Sequence, residues 1–267
     1  MIKLFRKAKL VAKLEKCQFG RTSVPFLGHI ITPQGIMVDD KKIDAMINMK
    51  APKNVHEIKV VMGMFNYYRQ FIPNFSDIGR PITLLLRNNT IFKWGEEQQK
   101  AFDKFKYLLS HAPILHRPNF DKTFYVVTDA SDVGIGAVLE QEGSDPEVHT
   151  RYPIAFWSRT LLPREQRYTV SERECLAIVE AIKSFRHYVH GLKFVVVTDH
   201  SALRWLHNAK DLNSRLTRWS LKLLEFDFTI EYRKGQDNAN ADALSRMTQN
   251  IEHSVAAITI DSVMSNN

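Results

Sequence analysis

Residues 123–141 read TFYVVTDASDVGIGAVLEQ, two runs of β-branched and other apolar residues that are separated by a turn. The first run predicts a β-strand over 123–129, and the second predicts a strand over 134–141. Gly134 supplies the backbone freedom that a tight connection between them requires. We therefore expect a β-hairpin in which Asp129 lies at the end of the first strand.

The elements that follow this hairpin indicate an α/β domain. They are a strand over 152–158, a helix over 171–190, a strand over 193–199, helices near 201–208 and 214–225, a strand over 226–233 and a helix from about 239. Because helices pack over sheets, this order predicts a sheet covered by helices. Residues 248–267 are polar and aperiodic and are predicted to form a linker or a disordered tail.

The first half of the chain is predicted to be mainly helical. Its elements are an amphipathic helix over 1–16, short strands near 17–19 and over 24–31, a helix over 39–48 with Asp39 as N-cap, a helix from 54 or 55 to 65, an aromatic-rich helical stretch punctuated by Pro73 and Pro81, and a helix over 96–110. Pro113 and Pro118 end this region, so we expect a domain boundary near residue 118.

The composition of the 267-residue chain bounds its class. Hydrophobic residues make up 44% and charged residues 25%, so the chain can bury a core. Residues 1–120 contain 20 basic and 9 acidic residues, a net charge of +11, whereas residues 121–267 contain 17 and 20, a net charge of −3. This asymmetry suggests a cationic groove beside an acidic metal-binding site. A solvated basic surface explains the charge equally well.

Cysteine usage and hydropathy exclude further classes. Cys17 and Cys175 form no CxxC pair, so we expect neither a structural zinc site nor a disulfide framework, and a reducing compartment fits. No apolar run approaches the ~18 residues of a membrane span, so no membrane partner is expected.

Four acidic residues lie at places that predict a shared site. Asp129 and Asp199 each follow a threonine at the end of an apolar strand. If these strands are neighbours, both aspartates emerge at a common edge, toward which Glu174 can lean from its helix. Asp242 begins the last helix. Four carboxylates gathered together would repel one another strongly unless cations lay between them. The cluster therefore predicts a pair of Mg²⁺ ions of the kind that cuts phosphodiesters.

Other acidic residues have simpler explanations. Glu172 lies two positions from Glu174 on the same helix, so it points in another direction and is expected to be exposed. Asp132 has a local role in its turn, and Asp237 is expected to be a solvated loop residue. Taken singly, each selected residue can also be structural, and Asp242 can simply cap its helix.

The second half resembles a ribonuclease H domain of the LTR-retrotransposon type over about residues 94–246. The resemblance is carried by Thr128-Asp129-Ala130-Ser131, Tyr168 through Glu174-Cys175-Leu176-Ala177, Thr198-Asp199-His200 and Asn238 to Arg246. It implies an α/β fold with a ribonuclease H-like mixed five-stranded sheet. It also implies that the four acidic residues bind two Mg²⁺ ions, for which Mn²⁺ can substitute, and that they are catalytic. The chain departs from cellular and retroviral ribonucleases H because the loop 233–237 lacks their histidine.

The first half resembles the end of a Gypsy-type reverse transcriptase palm, followed by its thumb and connection. The motifs are Cys17-Gln18-Phe19-Gly20, Phe26-Leu27-Gly28-His29, Phe65 to Ile72 and Ala112-Pro113-Ile114-Leu115. The resemblance implies that Phe26, Leu27, Gly28 and His29 grip the primer strand and that Arg69 also contacts nucleic acid. The family's Tyr-x-Asp-Asp polymerase turn should precede residue 1 and is absent, so we do not expect polymerase activity from this chain alone.

These expectations combine into one interpretation of the chain as part of a Gypsy-type Pol protein. Residues 1–38 are expected to end the palm, 39–118 to form thumb and connection, 119–247 to form the ribonuclease H domain and 248–267 to form the tail. The expected reaction is metal-dependent hydrolysis of the RNA strand of RNA/DNA hybrids. The expected partners are the hybrid and the remaining reverse transcriptase or a second Pol subunit. Two alternatives stay open: a catalytically silent remnant that binds nucleic acid or a partner, and an integrase or transposase.

Overall fold

A computed structural model describes residues 2–11, 13, 15, 17–143, 150–200 and 214–233. The elements of the first half are α1 (Ile2–Lys7), β1 (Val24–Phe26), β2 (His29–Ile31), β3 (Gly35–Val38), α2 (Asp40–Ile47), α3 (Val55–Tyr67), a 3-10 helix (Arg69–Phe71), α4 (Phe75–Leu84), α5 (Glu96–Ser110) and β4 (Leu115–His116). The four strands form an antiparallel sheet in the order β1-β2-β3-β4. A core of aromatic and aliphatic side chains, with Phe65, Phe71 and Phe105 fully buried, holds the helices together.

The second half contains a mixed five-stranded sheet, as predicted. Its elements are β5 (Phe124–Ala130), β6 (Gly134–Glu142), β7 (Arg151–Thr160), a 3-10 helix (Glu165–Arg167), α6 (Val170–Ser184), α7 (Arg186–Val189), β8 (Lys193–Thr198), α8 (Ser214–Leu223) and β9 (Asp227–Tyr232). The strand order is β7-β6-β5-β8-β9. Strands β5, β8 and β9 run parallel, while β6 and β7 are antiparallel to their neighbours. The α/β fold class and the hairpin over β5 and β6 are therefore confirmed.

Helix α6 packs against the central strand β5 because its inner face is built from small and apolar residues. Ala177 and Ala181 are fully buried, so the helix backbone can approach the sheet closely. The helix begins with a capping box in which the Thr169 hydroxyl and the Glu172 carboxylate each accept a backbone N–H of the other residue. Glu174 lies between the capping box and these two alanines, so the close packing of the helix sets its position.

Several local predictions are confirmed at the level of single residues. The Asp39 side chain caps α2 by accepting a hydrogen bond from the Lys41 N–H at 3.0 Å. Asn54 caps α3 in the same way through the Glu57 N–H at 2.9 Å. Helix α5 spans the predicted residues 96–110.

Other local predictions are wrong. Helix α1 ends at Lys7 instead of residue 16, and the described residues 17–19 form no strand. The run over 24–31 is not one strand but a hairpin, because Leu27 and Gly28 adopt positive φ angles of 49° and 77° and turn the chain. The helix predicted over 171–190 is divided at Phe185.

Strand β4 was not predicted and depends on a long-range contact. Leu115 and His116 pair with Ile36 and Gly35 of β3. A Cβ on Gly35 would overlap the Leu115 carbonyl, so only glycine permits this approach. The domain boundaries at residues 38, 118 and 247 stay predictions.

Among the residues whose structure is described, no helix is long and apolar enough to cross a membrane. The predicted helices near 201–208 and from about 239, together with the tail over 248–267, lie outside the described residues.

Candidate active site

Asp129 and Asp199 lie at the same edge of the central sheet. Strand β5 runs parallel to β8 with Val127 beside Val197, and the same offset relates Asp129 to Asp199. Partial burial and the nearby Asp199 carboxylate raise the pKa of Asp129 above its ordinary value. A hydrogen bond with the Ala130 backbone lowers the pKa of Asp129, and the nearby Asp77 carboxylate raises it. The two aspartates are therefore close enough to repel each other, as the sequence predicted.

Glu174 reaches the same place from helix α6, but it does so from inside the protein. Its residue is only 4% exposed. Burial first, and then the carboxylates of Asp199 and Asp129, raise the pKa of Glu174 to about 8. The Glu174 Oε2 atom is buried and has no hydrogen-bond partner. Such an unsatisfied oxygen is costly in a folded protein, and a bound cation would satisfy it.

The donor set fits a divalent cation such as Mg²⁺, which prefers carboxylate oxygens. The unpartnered Glu174 Oε2 and the mutual repulsion of three carboxylates are the features that a cation would relieve. Within the described ranges, no group of three or more His, Cys, Asp or Glu side chains is arranged so that it could hold a metal ion. The fourth predicted ligand, Asp242, lies outside the described residues.

Glu172 is buried, which corrects the expectation that it is exposed. Its residue is 7% exposed, and its carboxylate accepts a hydrogen bond from the Thr169 N–H at 2.9 Å. The Arg215 guanidinium of helix α8 donates to the other Glu172 oxygen at 2.5 Å. Burial by α8 depends on a residue 43 positions away, so helical periodicity could not reveal it. The Glu172 carboxylate is nevertheless bonded to Thr169 and Arg215, whereas Glu174 has an oxygen without a partner. This difference supports Glu174 as the candidate metal ligand.

The remaining competitors behave differently from the three site residues. Asp132 forms an ion pair with Arg173 of helix α6, 41 positions away, so its side chain joins the turn to that helix and does not have the purely local role that was predicted. Arg173 also lies next to Glu174 and lowers the pKa of that residue slightly against the dominant effect of burial. Asp237 lies outside the described residues.

Asp77 is a further acidic residue near the site that sequence reasoning missed. It lies on α4 of the helical half, and its carboxylate accepts a hydrogen bond from the Ser131 hydroxyl at 2.9 Å. Burial raises the pKa of Asp77, while Ser131 and Arg80 lower it. The available sequence signal was indirect. Gly134 and Gly136 stand inside a strand, where glycine often marks the close approach of another segment.

The four residues predicted to grip a primer strand lie at the tip of the β1–β2 hairpin, where Leu27 and Gly28 form the turn between Phe26 of β1 and His29 of β2. Phe26 and Leu27 expose 58% and 70% of their surface. The Tyr67 hydroxyl donates to the Leu27 carbonyl at 2.6 Å, and the Tyr68 hydroxyl donates to the Gly28 carbonyl at 3.1 Å. His29 lies against the rings of both tyrosines and stacks on Phe71. The helical region thus holds this exposed turn firmly; its contact with nucleic acid stays a prediction.

Arg69 has partners inside the protein. Its guanidinium donates to the Ser158 carbonyl of β7 at 2.6 Å and to the Asn66 side chain at 3.3 Å. It also lies over the Phe75 ring at 5.5 Å from the centroid. Arg69 therefore joins the helical half to the five-stranded sheet, and its predicted role in nucleic-acid binding stays a prediction.

The chain is similar to retroelement proteins. Residues 119–226 match the family described as the RNase H-like domain found in reverse transcriptase. The chain is 44% identical over 241 residues to the retrovirus-related Pol polyprotein from transposon 297, and 42% identical over 243 residues to that from transposon 412, both of Drosophila melanogaster. These matches cover 90% and 91% of the chain but 22% and 19% of the polyproteins. The chain thus spans about a fifth of the length of these curated relatives.

A fission yeast relative and several solved structures agree with this comparison. The transposon Tf2-3 polyprotein of Schizosaccharomyces pombe is 36% identical over 94% of the chain and 19% of its own length. The foamy viral protease-reverse transcriptase dRH in complex with double-stranded DNA matches with a TM-score of 0.73 at 24% identity, over 87% of this chain and 41% of that one. The same viral protein in complex with an RNA/DNA hybrid matches with a TM-score of 0.70 at 24% identity, over 88% and 33%. The likeness supports the fold described above.

Proposed function

We propose that the chain hydrolyses the RNA strand of RNA/DNA hybrids. Residues 119–226 match the family described as the RNase H-like domain found in reverse transcriptase, and the chain is similar over most of its own length to transposon polyproteins. The observation that carries this proposal is the electrostatic cluster of Asp129, Glu174 and Asp199 at one edge of the sheet. The unpartnered Oε2 atom of Glu174 within it calls for a positive ligand.

The three carboxylates, with Asp242 as a fourth, would hold Mg²⁺, or Mn²⁺ in its place. When bound, two such ions would activate the attacking water and offset the charge that develops on the leaving 3′ oxygen. Asp129 and Asp199 are fixed by adjacent parallel strands, so their separation is set by the sheet. Glu174 is fixed by the helix, and its proton must leave before the carboxylate can act as a ligand.

Neighbouring hydrogen bonds keep this edge of the sheet in order. The Thr198 hydroxyl accepts the His200 N–H at 3.2 Å, which fixes the backbone on both sides of Asp199. The Ser171 hydroxyl and the His200 Nε2 atom lie 2.8 Å apart and tie that segment to helix α6. The segment after β8 and the helix that carries Glu174 are thereby connected directly, which limits how far the carboxylates can separate.

A nucleic-acid substrate is supported by charge and by the structural neighbours. The first half carries a net charge of +11, which suits a polyanion beside an acidic site. The foamy viral relative was solved with an RNA/DNA hybrid and with double-stranded DNA. We propose that the hybrid lies across the basic half and presents its RNA strand to the carboxylates. Recognition would then depend on groove shape and 2′-hydroxyl contacts.

The direct test is cleavage of an end-labelled RNA/DNA hybrid in Mg²⁺ and in chelator. The wild-type chain should cleave only with the metal, and Asp129→Asn and Asp199→Asn should each abolish cleavage. Asp227→Asn is the matched control, because Asp227 is an exposed aspartate at the start of β9 in the same domain. Cleavage that survives Asp129→Asn would overturn the site assignment.

Two other results would identify the alternatives. Hybrid binding and Mg²⁺ binding without any cleavage would indicate a catalytically silent remnant. Cleavage of duplex DNA but not of the hybrid would indicate an integrase or transposase.

A further inference from the structure

A residue row that crosses three strands connects Asp129 to the helical half of the protein. Gly136 of β6 stands opposite Asp129 of β5, and Ser158 of β7 stands opposite Gly136. Residues paired in this way lie on the same face of a sheet. We call Asp129, Gly136 and Ser158 the transverse row. The ladder of paired strands thus connects the backbone of Asp129 to that of Ser158.

The start of helix α4 is bound to the far end of the transverse row. The Ser76 N–H donates to the Ser158 hydroxyl at 3.0 Å, and the two hydroxyl oxygens lie 3.2 Å apart. Arg69, in the 3-10 helix just before α4, donates to the Ser158 carbonyl at 2.6 Å. Ser158 is 3% exposed, so water does not compete for these bonds. Three contacts therefore fix one residue of β7 to the helical half.

Close approach at two glycines places α4 directly over the row. A Cβ on Gly136 would lie 2.7 Å from the Asn74 Oδ1 atom, nearer than the 3.0 Å that real Cβ atoms respect. A Cβ on Gly134 would overlap the Asp77 carboxylate. Neither glycine has a positive φ, so the backbone alone does not require glycine at these positions. The absence of side chains instead makes room for Asn74 and Asp77.

Asp77 also holds the turn that follows Asp129. Its carboxylate accepts the Ser131 O–H at 2.9 Å. The Ser131 oxygen in turn accepts the N–H groups of Val133 at 3.2 Å and Gly134 at 2.8 Å. The Ser131 N–H donates to the Gly134 carbonyl at 2.8 Å. One carboxylate from the helical half thus orients the hydroxyl at the centre of the whole turn.

We propose that Asp77 is a positioning residue through which the helical half sets the placement of Asp129 at the carboxylate site. This inference deepens the proposed hybrid hydrolysis and rests on it for its kinetic part. Asp77 acts through the Ser131 hydroxyl. Ser76 and Arg69 act through their hydrogen bonds to Ser158 of the transverse row. Without these contacts the ribonuclease H domain would keep its fold but hold Asp129 loosely.

The kinetic test compares Asp77→Ala and Ser131→Ala with Asp44→Ala, an exposed aspartate of helix α2. Because small misplacements of catalytic groups slow a reaction strongly, Asp77→Ala and Ser131→Ala should each lower kcat by about 10-fold or more, while KM for the hybrid stays within about twofold. Asp77→Asn, which keeps an acceptor for Ser131, should recover most of the rate. Asp44→Ala should leave kcat unchanged. A merely structural role would lower the amount of folded protein and would leave kcat per folded molecule unaltered.

A second pair of variants tests the row without touching Asp77. Gly136→Ala should push Asn74 away and lower kcat, since its Cβ would meet Asn74 Oδ1. Adding Asn74→Gly removes that oxygen and should restore kcat, because Asn74 has a φ of 50° that glycine adopts freely. Failure of the second substitution to rescue the first would count against the row.

Hydrogen exchange separates this inference from the proposed function. In Asp77→Ala, the amides of residues 128–136 should exchange faster than in the wild type, while those of β9 should not change. If the wild-type chain cleaves no hybrid, the proposed function fails, and faster exchange at 128–136 still supports the positioning role of Asp77. Unchanged exchange there overturns the inference, as does an unchanged kcat in Asp77→Ala.

Discussion

The buried Glu174 carboxyl and the Asp199 carboxylate repel each other, and this repulsion adds to burial in raising the pKa of Glu174 to about 8. The two residues come from a helix and from the end of a neighbouring strand. A protein gains nothing in stability from holding two carboxylates this way. The arrangement is therefore evidence of a site whose ligand is positively charged.

The first prediction concerns stability against pH in the absence of metal. The pKa of Glu174 is raised from its ordinary value of 4.5 to about 8 in the folded protein. Between these values the folded state binds the proton more tightly than the unfolded state does. The free energy of unfolding should therefore fall as the pH rises from about 4.5 to about 8, by on the order of a few kcal/mol, and then level off.

Urea unfolding at a series of pH values, in chelator, measures this slope. Glu174→Gln, which cannot ionise, should flatten it. An equally steep slope in Glu174→Gln would show that another group is responsible.

The second prediction concerns divalent cations. Mg²⁺ that binds the carboxylates only in the folded state should raise the melting temperature, and it should release protons near pH 7 as Glu174 ionises. Differential scanning fluorimetry and calorimetry in two buffers of different ionisation enthalpy measure these effects. Asp129→Asn should remove most of the shift, whereas Asp227→Asn should keep it. A shift of equal size in both variants would indicate nonspecific binding.

The third prediction separates Glu172 from Glu174. Glu172→Ala removes the capping box and the hydrogen bond that Arg215 donates to Glu172, so the free energy of unfolding should fall by about 1–3 kcal/mol. The Mg²⁺ response should persist in this variant because the Glu172 carboxylate is bonded to Thr169 and Arg215 and is not one of the proposed ligands. Chemical denaturation with and without Mg²⁺ provides the measurement. Loss of the Mg²⁺ response in Glu172→Ala would place it among the ligands.

The fourth prediction concerns the exposed turn between β1 and β2. Leu27→Ala should weaken hybrid binding without changing stability, since 70% of the Leu27 surface is exposed. Gly28→Ala should instead destabilise the helical half, because Gly28 has a φ of 77° and a Cβ there would lie 2.7 Å from the Tyr68 hydroxyl. Fluorescence anisotropy with a labelled hybrid and thermal unfolding measure the two effects. Ile91→Ala, at an 88% exposed position elsewhere, is the control.

Equal loss of affinity in Ile91→Ala and Leu27→Ala would contradict a specific role for the turn.

Local sequence was sufficient to predict the strands and the helix that carry the site residues. The runs before Asp129 and Asp199 are rich in β-branched residues, which favour strands wherever they lie in the fold. Thr169 and Glu172 form a capping box from residues three apart, so the start of helix α6 is a local matter as well. The two aspartates at strand ends therefore followed from periodicity, once the strands were taken to be neighbours.

Contacts between distant parts of the chain account for what the sequence left open. The bond from Arg69 to Ser158 spans 89 positions, the bond from Ser131 to Asp77 spans 54, and the pair of Arg215 with Glu172 spans 43. Such contacts depend on how whole elements dock, and no local pattern of hydrophobic residues encodes that docking. Sequence thus determined which carboxylates stand at the ends of strands. Tertiary packing determined that Glu172 is buried, because helix α8 packs against α6, and that Asp77 lies beside the site, because the two halves of the chain meet there.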